Sequence, residues 1–182
     1  RRRPSPSTRS TALRRRTRLV ATVHDLSVFD HGEWYTNAEG GFFRREVARL
    51  VGRADRFIAA SDFTRGRLIE RFGMDPGRVV TIYQGCSVKD TSNAAEPPVT
   101  RPYFLYVGTI EPRKNVQALI RAYDRLRQRR PDLDPQLVLV GRWGWLYDEA
   151  RNAYEASPFR RDILSLDYLE AERVAAYYRH AV

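Results

Sequence analysis

The chain reads as an α/β protein built from two parallel, doubly wound sheets, and three observations predict it. Short β-branched or aromatic runs alternate with segments of helical period, twice over. A polar stretch holding Pro97-Pro98, without periodicity, separates the two halves. The runs end in glycine or polar groups, where sheets of this kind hold their ligands. Those ends are His24-Asp25, Ser61, Gln84-Gly85, Gly108-Thr109 and Gly141-Arg142.

In chain order, residues 1–17 form a disordered basic arm, and residues 18–85 one partial Rossmann-like domain. Arg18 to Val23 is a β-branched run that predicts a buried strand delivering His24-Asp25 at its carboxyl end. A loop is expected to about Asn37. Phe43, Val47, Leu50, Val51 and Ala54 then recur at helical spacing. Arg56 to Ala60 is the next strand. Ser61 is an N-cap for a helix from Asp62 to Phe72. Asp75-Pro76-Gly77 is turn chemistry, and Arg78 to Tyr83 the third strand. Residues 86–102 are the linker, and residues 103–182 a second partial Rossmann-like domain. There, strand Tyr103 to Val107 precedes a helix from Val116 to Arg130. Strand Gln136 to Val140, a loop to Trp145 and a helix from Tyr147 to Ala156 follow. Strand Asp162 to Leu166 and a helix from Glu170 to Val182 complete the pattern.

The segment Gly108-Thr109-Ile110-Glu111-Pro112-Arg113-Lys114-Asn115 joins a strand to a helix start. Unpaired N–H groups and the helix dipole favour an anion at such a place. Lys114 adds a point charge and Arg113 a forked donor. Asn115 also fits as the N-cap of an ordinary helix, so phosphate binding and plain helix initiation both remain open at this point.

The charge is unevenly placed. The first 18 residues hold eight arginines and no acid, leaving 24 cations against 22 anions in the rest. The arm could bind nucleic acid or anionic lipid, or be simply an untethered end. One cysteine, Cys86, excludes an intrachain disulfide and a thiolate-rich metal site. No apolar run reaches membrane-span length. No Gly-Lys pair forms a Walker loop, and no Gly-x-Ser-x-Gly segment forms an esterase elbow.

Taken together, Val23 to Leu26, Arg53 to Ser61, Val79 to Gly85, Tyr106 to Asn115, Leu137 to Gly141 and the tyrosines Tyr177 and Tyr178 resemble retaining, nucleotide-sugar-dependent glycosyltransferases of family 4. The likeness is strongest to their bacterial mannosyltransferase-like branch, and Glu-Pro-Arg-Lys-Asn is its most specific segment. The resemblance implies the GT-B fold, two Rossmann-like domains facing a cleft, each only partly present here. It implies a nucleotide-diphosphate sugar as donor, GDP-mannose in particular, and a glycan or lipid-linked acceptor. No cofactor and no metal are expected. Lys114 and Arg113 would bind the donor diphosphate, and His24 would face the transferred sugar. Gly108, Thr109 and Asn115 would meet the phosphates, Gly141 would approach the nucleotide, and Tyr168 and Leu169 fall where the family holds the base. The implied location is cytoplasmic, peripheral on the inner membrane face.

Breaking a glycosyl–phosphate bond leaves negative charge on the diphosphate, which Lys114, Arg113 and the helix start would stabilise without a metal. Two departures stand out. Many members carry Arg where this chain has Thr109. The family's sugar-orienting glutamate pair would follow Val182, and its opening strand would precede Arg1. Little turnover is therefore expected of this stretch alone, and open sheet edges predict marginal stability.

Plainer readings stand beside these. His24 alone fits a hydrogen-bonded strand end, and Ser61 only a cap. His31 and His180 read as surface residues, and Trp143 and Trp145 as packing. The competing functions are an inert remnant that retains diphosphate affinity, and a nucleic-acid-binding protein driven by the arm, ranked last because the core adds little charge.

Overall fold

The computed structural model describes residues 17–85 and 99–182. The expected arm up to Arg16 and the linker from Cys86 to Pro98, Lys89 included, lie outside the described residues. The elements run β1 (Val20–Val23), α1 (Ser27–Asp30), α2 (Asn37–Arg53), β2 (Arg56–Ala59), α3 (Asp62–Phe72) and β3 (Val79–Thr81). They continue with β4 (Tyr103–Val107), α4 (Val116–Arg129), β5 (Gln136–Val140), α5 (Asp148–Ala156), β6 (Ile163–Leu166) and α6 (Ala171–His180). Strands β1-β2-β3 form one parallel sheet and β4-β5-β6 another. The architecture is a partial GT-B fold.

The chain divides into two compact units. One takes residues up to Leu26 with Phe43–Gln84, and the other takes Ser27–Phe42 with Gly85 onward. In the first, β1 and β2 pair from Val20↔Arg56 to Val23↔Ala59, and β2 and β3 from Phe57↔Val79 to Ala59↔Thr81. Ala21, Val23, Phe57, Ala59, Val79 and Leu68 are buried on one side. Val20, Val80 and Ile82 on the other are each more than half exposed. Strand β1 is therefore half-buried, not buried as expected from its composition. Strand β3 is also shorter than expected. Arg78 lies in a 3-10 turn (Pro76–Arg78), and its guanidinium donates to Ala54 O at 2.5 Å instead of extending the ladder.

Helix α3 follows its expected span, and Ser61 Oγ accepts from Thr64 N at 3.1 Å. Gly73 closes it in the left-handed conformation, φ 59°. The loop expected before Asn37 holds α1 and a 3-10 turn at Gly32–Trp34, pieces too short to show a period. Helix α2 begins at Asn37, earlier than its apolar spacing indicates. Thr36 there accepts from Glu39 N through its hydroxyl and donates that hydroxyl to the Glu39 carboxylate, which caps the helix start.

The second sheet is covered on both faces. Ile110, Val116, Ile120, Tyr123, Leu137, Leu139, Tyr154 and Ile163 form a core under α4 and α5. Tyr103, Val138, Val140 and Tyr177 form another under α6, where Tyr103 Oη donates to Tyr177 O at 2.7 Å. Helix α6 stops at His180, short of the expected Val182, whose N–H donates to Tyr103 O beside β4. At the amino edge of this sheet, Arg101 and Arg127 clamp Asp162 from both sides, at 2.8 and 3.1 Å. Both also reach Asp134.

Candidate functional site

In the first unit, His24 lies exposed at the end of β1, and Gln84 beyond β3 reaches its ring. Gln84 Nε2 donates to His24 Nδ1 at 2.8 Å. Thr64 Oγ1 donates to His24 O, which ties the start of α3 to the end of β1. Nearby, Asp62 accepts from Thr81 and Tyr83, at 2.6 and 2.7 Å. Those two bonds hold its carboxyl below the usual range, and the bond to Asp62 pushes the Tyr83 phenol up.

In the second unit, the chain leaving β4 and the chain leaving β5 stay zipped together past the sheet. Gly108 N donates to Val140 O, Ile110 N to Arg142 O and Gly144 N to Ile110 O, each at 2.9 Å. Gly141 N reaches across to Leu166 O at 3.0 Å. Gly108 and Gly141 have φ of 154° and 143°. A Cβ on Gly141 would collide with Gly108 O, so glycine there is demanded first by the approach of the two loops. Tyr106 Oη donates to Thr109 O at 2.9 Å and braces the turn. Burial, then the Glu111 charge, push this phenol up to about 12, so it stays a donor through the physiological range.

These loops and the start of α6 surround a cavity of about 380 Å³. Gly108, Thr109, Gly141, Arg142, Tyr168 and Leu169 line it. Five of the expected binding residues, drawn from three separate strand ends, thus come together. The amides of Thr109 and Arg142 donate to nothing among the described residues. The Arg142 guanidinium lies 5.4 Å from the Tyr168 ring centroid, with Asp167 at 3.8 Å.

The remaining expected residues are placed differently. Arg113, Lys114 and Asn115 are exposed but do not line the cavity. Pro112–Lys114 form a 3-10 turn ahead of α4. Asn115 holds the cap position of α4 as expected, but not with its side chain. It sits in the left-handed conformation, φ 51°, makes no side-chain cap bond, and uses its N–H on Pro112 O. Arg113 Nη2 is held at 2.7 Å by Glu111 Oε1, a carboxylate only 5 % exposed. The Lys114 ammonium makes no hydrogen bond or ion pair among the described residues and is the unengaged cation of the turn, whose backbone N–H donates to Glu111 O.

Sequence reasoning missed two participants. Glu111 was visible only as part of a motif, and its burial beside Arg113 leaves no signal in the sequence. Arg142 was noted as a strand end and given no role. The tryptophans pack as expected. Trp143 lies at 5.6 Å from both Tyr147 and Tyr154, and Trp145 Nε1 donates to Trp34 O. His31 is at the surface but not isolated, stacking on Trp34 with Nδ1 at 3.2 Å from Glu33. Among the described residues no group of three or more metal-ligating side chains could hold an ion, and no helix is long and apolar enough to cross a membrane.

Comparison with known proteins gives a consistent picture. The profile of Glycosyltransferase Family 4 matches residues 3–90, and that of Glycosyl transferases group 1 matches residues 88–181. O-antigen chain mannosyltransferase B of Escherichia coli is 31% identical over 177 residues, covering 90% of this chain and 45% of that protein. D-inositol 3-phosphate glycosyltransferase of Pseudarthrobacter chlorophenolicus is 28% identical over 174 residues, covering 90% and 41%. The chain thus spans somewhat under half the length of these relatives. Among solved structures, a UDP-forming alpha,alpha-trehalose-phosphate synthase from Burkholderia xenovorans superposes with a TM-score of 0.66 at 15% identity. That match covers 91% of this chain and 46% of the other. A glycosyltransferase from Rickettsia africae gives 0.58 at 16% identity, covering 89% and 43%.

Proposed function

As the chain belongs to the glycosyl transferases group 1 family, with a family 4 domain ahead of it, we propose that it supplies donor-binding machinery for hexosyl transfer. The donor is a nucleotide-diphosphate sugar and the acceptor a glycan or lipid-linked sugar, with configuration retained. Its likeness to O-antigen chain mannosyltransferase B favours mannosyl as the group moved and GDP-mannose as the donor. The observation that carries this reading is the cavity where the loops after β4, β5 and β6 converge.

The chemistry follows from charge. As the glycosyl–phosphate bond breaks, negative charge grows on the diphosphate, and preorganised donors lower the barrier. The free amides of Thr109 and Arg142 and the Lys114 ammonium supply such donors. Gly108 and Gly141 keep the backbone clear of Cβ atoms. Arg113 acts less directly than expected, because Glu111 already neutralises it. Its role is to fix the turn that presents Lys114. Tyr168 and Leu169 would take the base, and His24 the sugar. Peripheral attachment at a cytoplasmic membrane face, the basic arm included, belongs to the same reading.

Calorimetric titration with GDP, GDP-mannose and UDP tests it. Lys114→Ala should weaken diphosphate binding roughly 10- to 100-fold, the scale of one charge-assisted hydrogen bond. Equal affinity of parent and variant would remove Lys114 from the site, and no affinity in either would remove the donor site itself. Transfer of labelled mannose separates a transferase from a module that only binds diphosphate.

A further inference from the structure

One face of α4 is used neither by the core nor by the cavity. Val116, Ile120 and Tyr123 turn toward the sheet and are buried. On the outward side Ala118, Arg121, Ala122, Arg125 and Arg129 are all exposed. Arg121, Arg125 and Arg129 recur every fourth residue, so they stand in one row about 12 Å long. None of the three side chains makes a hydrogen bond or ion pair among the described residues. Like charges at this spacing oppose the helix. Four other arginines of the same unit are paired. Arg101, Arg113, Arg127 and Arg130 each hold a carboxylate.

We propose that this row docks the protein on an anionic lipid bilayer, with the axis of α4 lying along the membrane surface. Three exposed arginines along one side of the helix, their side chains without partners among the described residues, complement a field of phosphate headgroups. Ala118 and Ala122 keep the floor between them low, and the half-buried Leu126 adds apolar surface beside the row. No aromatic ring stands in the row for a nucleic-acid base to stack on. This contact is distinct from the basic arm, and it does not rest on the transferase reading.

The test is co-sedimentation of the full chain with vesicles of phosphatidylcholine, alone or mixed in equal parts with phosphatidylglycerol. Arg121→Gln, Arg125→Gln and Arg129→Gln are made singly and together. The arm's arginines are present in every protein, so differences report on α4. Each substitution should lower partition onto the anionic vesicles about fivefold, and the triple variant roughly a hundredfold. Glutamine keeps helix propensity and removes like-charge repulsion, so thermal melting of the triple variant should match or exceed the parent. Its nucleotide titration should be unchanged. Undiminished vesicle binding by the triple variant would overturn the proposal. So would equal binding to neutral vesicles, or a larger loss of duplex DNA binding than of vesicle binding.

Discussion

The two sheets have the same strand count and the same parallel pairing, yet they bury their strands differently. In β4-β5-β6 the central strand is buried from Leu137 to Val140, with α4 and α5 on one face and α6 on the other. In β1-β2-β3 the buried residues lie on one face, while Val20, Val80 and Ile82 leave the other largely open. Parallel sheets are ordinarily covered on both faces. The contrast shows that a run of β-branched residues specifies a strand but not what lies against it.

The largest test of that contrast pairs two alanine substitutions. Leu139→Ala, at a fully buried position of β5, should cost about 2–5 kcal/mol, the transfer and cavity terms together. Val80→Ala, on the open face of β3, should stay within about 0.5 kcal/mol. Denaturant unfolding followed by tryptophan fluorescence and circular dichroism checks both. A cost at Val80 as large as at Leu139 would mean that the open face of the first sheet is covered in solution.

A smaller effect belongs to the amino edge of the second sheet. The Arg101 hydrogen bond, with help from Arg127, holds the Asp162 carboxyl below the usual carboxylate range. A depressed folded-state pKa means that this stabilisation is complete above the ordinary carboxylate value. It is lost as pH falls through the lower folded value. Asp162→Ala should therefore cost about 1.5–3 kcal/mol at neutral pH. The gap between variant and parent should close in strong acid. A gap independent of pH would show that Asp162 contributes packing and not charge.

The two sheets were not equally legible either. Strand β4 and helix α3 run over the residues expected from the sequence, because each has a clear period and a recognisable boundary. Cover was illegible, since period reports which side of a strand is apolar and not whether anything packs there. The cavity was legible in part. Gly108, Thr109 and Gly141 could be named because glycine and polar groups mark strand ends, whereas Tyr168 and Leu169 could be named only through the resemblance to the family. The pairing of Glu111 with Arg113 depends on a buried carboxylate, and no linear pattern reports burial of a charged side chain. The left-handed turn at Asn115 was hidden by the same asparagine that made it look like a cap, for that residue suits both conformations.

The smallest effects sharpen the contrast at the two helix starts. Ser61 precedes α3 in extended backbone, φ −157°, and its Oγ takes the Thr64 amide. Ser61→Ala leaves that donor unpaired and should cost about 1 kcal/mol. Asn115 precedes α4 in a left-handed turn with no side-chain bond, so its side chain holds nothing that alanine would lose. What matters there is tolerance of φ 51°. Asn115→Ala should destabilise by up to about 1 kcal/mol through backbone strain, while Asn115→Gly, which accepts that φ freely, should stay near the parent. Ser61→Gly should likewise cost only a few tenths, since glycine is itself an acceptable N-cap. The discriminating measurement is therefore the alanine-to-glycine difference at Asn115, read by thermal melting with the nucleotide-binding curve alongside. If glycine were as harmful as alanine, the Asn115 side chain would be holding a partner, and the turn that presents Lys114 would depend on that partner and not on backbone geometry alone.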